Sequence, residues 1–218
     1  MTKFDIEIVT DSVCPWCYVG KTKLDKATEA YKEVHPNSED TFSMTWMPFY
    51  LEPGAPQTGV DRIGYYRAKS GRERTDMMFK RLSQIGREVG INSEHGGKTG
   101  NTRDSHRLVQ LGESTSPALQ TRLFAAHFEN EGDITGHDVL LGAAVKAGLD
   151  ESEARDWLQS DRGGPEADGE VEQARLKQIS GVPNFTVQAK YEIGGVQDPA
   201  VFLRLFEKIK AQEEGAEA

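Results

Sequence analysis

Cysteine is scarce in this 218-residue chain, which holds two, Cys14 and Cys17, and none after them. A disulfide-stapled secreted framework is thereby excluded. There is no second Cys-x-x-Cys and no close histidine pair, because His35, His95, His106, His127 and His137 are scattered. The four ligands of a structural zinc site are therefore missing, and no metal is expected. Haem attachment needs a histidine directly after the second cysteine, where Tyr18 stands. No apolar stretch approaches the ~18 to 20 residues of a membrane span; the longest, Val139 to Val145, contains a glycine. Positive charge is also in deficit, with 26 Lys and Arg against 35 Asp and Glu and a net charge of −9. That balance repels phosphate backbones and anionic lipid, so neither nucleic acid nor a membrane is expected as a partner. Charges interrupt the apolar residues from Met1 to Glu7, without a signal-peptide core or an Arg-rich transit segment. A reducing, cytoplasmic setting is the expectation.

Hydrophobic residues make up 37% of the chain, enough for a real core, and the length allows one large domain or a smaller one carrying an insertion. Phe4, Ile6 and Ile8 alternate with Asp5 and Glu7, the period-two signal of a strand. After Cys14-Pro15-Trp16-Cys17, Leu24, Ala27 and Tyr31 recur at helical spacing until His35-Pro36. Phe42, Met44 and Trp46 alternate again and predict a second strand beside the first. From about Pro53 to Gly164 the strand signal disappears and the spacing predicts only helices. Asp150 with Glu153 forms a capping box ahead of one of them, and Met77-Met78-Phe79 and Trp157-Leu158 are expected in the core. A further helix, Glu166 to Gln178, precedes a hairpin that turns around Gln188 to Lys190. A last helix starts at Asp198-Pro199 and gives way to an acidic, frayed tail from Glu213. Two strands at each end of the chain are best combined into one four-stranded sheet interrupted by the helical block. The expected division is residues 1–56 and 166–212 for the sheet domain, 57–165 for the inserted helices and 213–218 for the tail.

The cysteine motif is the strongest chemical signal. It falls where a strand passes into a helix, which puts Cys14 at the helix amino terminus, where unpaired N–H groups and the positive dipole end favour a thiolate. Cys14 is the expected nucleophile. Cys17, one turn on, is placed to attack a mixed disulfide formed at Cys14 and is the expected resolving thiol. Pro15 suits the first helical turn, and Trp16 offers a flat apolar surface to a peptide or thiol substrate. Asp11 either moves protons to and from the thiols or caps the turn. His106 either acts on Cys14 or a substrate, or is a satisfied interior histidine, and Asn101 is either a substrate contact or a helix cap.

With these features the chain resembles the thioredoxin superfamily, and within it the DsbA-like branch. Ser180-Gly181-Val182-Pro183 ahead of a strand looks like that superfamily's cis-proline loop. The resemblance implies that Pro183 is cis and that the backbone of Val182 holds a substrate strand. The residues alone favour trans, since only ~5 to 6% of X-Pro bonds in folded proteins are cis. Met47 to Leu51 followed by Pro53, Asn101-Thr102 with Ser105 to Leu108, Ile179 to Pro183, and Gly194 to Gln197 resemble the FrnE-type dithiol-disulfide isomerases. The likeness spans almost the whole chain and implies a thioredoxin-like α/β fold, a four-stranded mixed sheet with a large all-helical insertion. Relatives in layout include 2-hydroxychromene-2-carboxylate isomerase and kappa-class glutathione transferase, which typically carry serine in place of Cys14 and lack the second cysteine. In the glutathione users the entrance of the last helix, here Gln197 and Asp198, holds the peptide; Asp198 as a plain N-cap is the competing role.

The expected function is thus a cytoplasmic thiol-disulfide oxidoreductase or isomerase acting on a protein or small-molecule thiol or disulfide. No metal or organic cofactor is required, and glutathione is a candidate co-substrate. The alternative is a glutathione-dependent transferase or small-molecule isomerase on the same fold. A homodimer is compatible with either.

Overall fold

The alternation of the first strand is carried through in burial. Phe4, Ile6 and Ile8 are almost wholly enclosed, whereas Lys3 and Asp5 face solvent. The computed structural model describes residues 1–112, 116 and 118–216. Strand β1 (Lys3–Thr10) leads through a turn into helix α1 (Pro15–Val34), and β2 (Thr41–Pro48) returns beside it. A helical block follows: β3 (Val60–Asp61), α2 (Arg62–Ser70), α3 (Arg72–Val89), β4 (Lys98–Thr99), α4 (Arg103–Gly112), α5 (Leu119–Phe128), α6 (His137–Lys146) and α7 (Glu151–Leu158). The chain then runs through α8 (Gly164–Leu176), β5 (Asn184–Val187), β6 (Tyr191–Gly194) and α9 (Pro199–Ala216).

The main sheet has the order β2-β1-β5-β6. β1 pairs parallel with β2, Lys3 opposite Thr41 through Thr10 opposite Pro48, and antiparallel with β5, Ile6 opposite Val187. It is therefore a mixed four-stranded sheet of the thioredoxin type carrying an inserted helical block. On one face Phe4 stacks on Phe42 with ring centroids 4.8 Å apart, and Tyr31 of α1 and Phe206 of α9 close around them. Val9 points to the opposite face and packs with Ala174 of α8.

The helical block is not cored separately. Its buried residues Leu108, Leu123 and Phe124 belong to the same apolar cluster as Phe4, Ile6 and Phe185 of the sheet. Tyr18 of α1 stacks on Phe124, 5.2 Å between centroids, and Ser105 of α4 donates its hydroxyl to Ser12, 2.9 Å away in the turn after β1. The capping box at α7 forms, with the Asp150 carboxylate accepting the Glu153 N–H at 2.9 Å.

Three expectations are corrected. The block contains a two-stranded ladder, Val60 opposite Thr99 and Asp61 opposite Lys98, too short to leave a period-two pattern. The acidic segment from Glu213 is helical to Ala216, because α9 is tied down by Tyr191 Oη donating to Gln212 at 2.8 Å and by Lys210 facing Glu214 at 3.8 Å. Residues 217–218 lie outside the described residues. Finally, Met77 and Met78 are exposed rather than core, at 66% and 38% of their surface. The inward stripe of α3 runs instead through Thr75, Leu82, Gly86 and Val89.

Candidate active site

Cys14 is the N-cap of α1, with extended backbone (φ −88°, ψ 110°), and Pro15 occupies the first turn. Proline supplies no N–H there and its fixed φ suits the helix, so the sequence itself sets where α1 begins. The carbonyl of Cys14 accepts the Cys17 N–H at 3.1 Å, and its own N–H donates to the Asp11 carbonyl at 2.9 Å. No side chain caps this helix and no acidic residue lies in its first turn. The Cys14 sulfur thus stands at the positive end of α1 with no anionic side chain in that turn to compete with it.

Cys14 and Cys17 are not joined by a disulfide in this structure. Cys14 is 3% exposed and Cys17 2%. Burial pushes the Cys17 thiol well above the ordinary range, and its hydrogen bond with Cys14 and the Cys14 charge push it further the same way. Cys17 is consequently held as a neutral thiol behind Cys14.

The Val182–Pro183 bond is cis. The Cys14 Sγ lies 3.8 Å from the Val182 carbonyl oxygen, and Gly195 donates its N–H to the Pro183 carbonyl at 2.8 Å. Close approach of α1 to this loop depends on Gly20. A Cβ there would lie 2.9 Å from Pro183 Cγ and 3.2 Å from Phe185 Cζ.

On another side, Cys14, Pro15 and Trp16 line a cavity of about 310 Å³ between the helix start and the inserted block. Its walls include Met78, Phe79 and Leu82 of α3, and Arg62, His95 and His127 supply polar groups. The sequence did not point to this set. Arg62, His95 and His127 are single polar residues on separate elements, and Met78 and Phe79 read as core.

The remaining candidate residues fall elsewhere. Asn101 accepts the Arg103 N–H at 2.9 Å and does not line the cavity, so it caps α4. His106, 2% exposed, faces the equally buried Asp11 carboxylate at 3.6 Å, and Tyr50 lies beside its ring. Asp11 also accepts the Leu51 N–H at 2.8 Å. It therefore couples the turn before Cys14 to the chain after β2. Gln197 donates to the Gly194 carbonyl at 2.8 Å and Asp198 accepts the Ala200 N–H at 2.9 Å; both serve the entry of α9 and neither lines the cavity. Among the described residues no three His, Cys, Asp or Glu side chains converge as a metal site. No described helix is long and apolar enough to cross a membrane.

Comparison with known proteins places this arrangement. The family model of the DSBA-like thioredoxin domain matches residues 5–207. The uncharacterized protein YwbO of Bacillus subtilis (strain 168) is 23% identical over 216 residues, 96% of each chain. The crystal structure of SCO1869 from Streptomyces coelicolor, titled a probable DsbA oxidoreductase, is 26% identical. It superposes with a TM-score of 0.82 over 94% of this chain and 89% of that one. A 2-hydroxychromene-2-carboxylate isomerase, 14% identical, shares the fold with a TM-score of 0.63 over 98% of each chain.

Proposed function

We propose, from the premise that this chain belongs to the DSBA-like thioredoxin domain family, that it is a thiol-disulfide oxidoreductase of FrnE-like character in which Cys14 is the nucleophile and Cys17 the resolving thiol. One observation carries the reading: Cys14 caps the amino end of α1, Cys17 waits one turn behind it as a neutral thiol, and the cis loop lies 3.8 Å away at Val182.

The Cys14 thiolate attacks one sulfur of a substrate disulfide. A Cys14–substrate disulfide forms and the other substrate sulfur leaves as thiolate. Cys17 then gives up its proton and attacks the Cys14 sulfur, releasing the second substrate thiolate and closing a Cys14–Cys17 bond. Two electrons pass to the substrate. A cellular monothiol such as glutathione, acting as co-substrate, restores the dithiol, and the same steps in reverse oxidise a dithiol substrate. Neither metal nor organic cofactor enters these steps. Pro15 and Trp16 border the reacting sulfur, and Val182 with Pro183 holds the substrate beside it.

The test is reduction of a disulfide substrate by the wild-type protein and by Cys14→Ser, with a monothiol as the electron source. The variant is expected to fall to the uncatalysed rate; a wild-type rate from Cys14→Ser would overturn the assignment.

A further inference from the structure

Arg62 is 3% exposed, yet all of its acceptors are neutral. Its Nη2 donates to the His127 carbonyl at 2.7 Å and to His127 Nδ1 at 3.0 Å, with the Lys98 carbonyl at 3.4 Å; Nη1 donates to the Glu94 carbonyl at 3.3 Å. Among the described residues Nε is buried with no partner, and Nη1, with two N–H groups, makes one hydrogen bond. Glu131 and Tyr66 act on the guanidinium only through space. A buried cation without a counterion is unfavourable, and folded proteins rarely retain one without a use.

This cation lines the same cavity as Cys14. The other charged group there, Glu52, is already neutralised by Lys69 at 2.6 Å. His127 is neutral, its pKa brought down to about 3 by burial and by Arg62. Among the described residues Arg62 has no direct ion pair, so the cavity carries a positive charge against apolar walls. Its volume, about 310 Å³, sits at the lower end of the ~300 to 1,000 Å³ typical of small-molecule pockets. Cys14 itself is almost enclosed, so a small molecule in the cavity meets its sulfur more readily than a disulfide held in a folded protein does.

We propose that the cavity is a binding site for a small substrate with an apolar body and one anionic group, which Arg62 binds while Cys14 meets the substrate's sulfur. This deepens the dithiol reading and rests on it for the chemistry. Reduced protein and a diaryl disulfide yield the Cys14–Cys17 disulfide and two aryl thiols, a balanced two-electron exchange requiring no further reductant for a single turnover.

Two matched probes test it: the disulfide of meta-mercaptobenzoate and the disulfide of meta-mercaptobenzamide. Single-turnover rates with reduced protein are divided by those with a free thiol at the same pH. The protein's net charge of −9 repels the acid at long range, so without a local cation the amide should react faster. The expected result is at least a tenfold preference for the acid, lost in Arg62→Met. Because Arg62 also holds His127 and Glu94, a second measurement uses the intact cavity. Cys14→Ser should bind meta-(methylthio)benzoate and not its amide in a calorimetric or NMR titration. Equal rates for the two disulfides, or no selective binding of the benzoate, would overturn the site. Selective binding to Cys14→Ser with no reaction of either disulfide in the wild type would keep the site and reject the dithiol reading instead.

Discussion

The sulfur of Cys14 and the carbonyl oxygen of Val182, 168 positions apart in the chain, lie 3.8 Å from each other. The contact follows from sheet topology. β1 and β5 are antiparallel neighbours, so the turn that leaves β1 and the loop that enters β5 meet at the same end of the sheet. α1 then lies across that loop, and the absence of a side chain at Gly20 sets how near it comes.

Gly20→Ala would place a methyl group 2.9 Å from Pro183 Cγ, so the loop must shift or the helix must lift. A loss of about 1–3 kcal/mol is expected, the usual cost of overpacking a core. The rate of disulfide exchange should fall as well, since the moved loop is the one that borders Cys14. Urea unfolding and exchange kinetics on the same sample check both.

Cys17→Ala should stop the cycle halfway. With no second sulfur to displace the substrate, Cys14 would hold it as a mixed disulfide. Intact mass measurement should show one substrate thiol per chain, removed by dithiothreitol. The wild type should show no adduct under the same conditions.

His127 makes stability depend on pH with a definite sign. Burial and the Arg62 charge lower its pKa to about 3 in the folded protein, against about 6.5 in an unfolded chain. Below about pH 6.5 the unfolded state takes up a proton that the folded state refuses, so stability falls as pH drops from about 6.5 towards 3. His95, also lowered by burial, adds to the same slope. Urea midpoints at pH 7.5, 5.5 and 4.5 should decline for the wild type and decline less for His127→Gln.

Asp40 anchors the far end of the sheet domain. Burial alone would raise its pKa, but Lys210 at 2.5 Å, Ser38, the Thr2 N–H and the Tyr31 hydroxyl outweigh it and hold the carboxyl well below the ordinary range. Its contribution is complete above about pH 3.9, the unfolded value, and is lost as pH falls further. Asp40→Asn should lower stability at pH 7 by about 1–3 kcal/mol through donors left short of an acceptor. The difference from wild type should shrink in acid, which a pair of unfolding curves at pH 7 and pH 3 measures.

What the sequence made legible is what short-range patterning controls. The alternation in Phe4 to Ile8, the helical spacing from Leu24 to Tyr31 and the turn at Gln188 to Lys190 each reappear as an element within a residue or two. The cysteine pair stood out because the motif lies at a strand-to-helix junction, and Cys14 is indeed the N-cap of α1. The cavity was not legible, because it is assembled from α1, the segment after β2, α2, α3, the loop before β4 and α5, and no local pattern brings Arg62 or His95 to Cys14. Met78 shows the same limit from the other side. A methionine on a helical stripe reads as core, yet here it sits 38% exposed at the edge of that cavity. Asp198, by contrast, needed only its position before Pro199 to be read as a cap.

The most direct measurement is a titration of the protein across glutathione buffers of increasing oxidation, quenched with an alkylating agent and read by intact mass. The account predicts that both thiols disappear together in one two-electron transition, leaving an unalkylated species with a Cys14–Cys17 bond. Two thiols that stay alkylatable across the whole range, or a Cys14–glutathione adduct that never resolves, would contradict it.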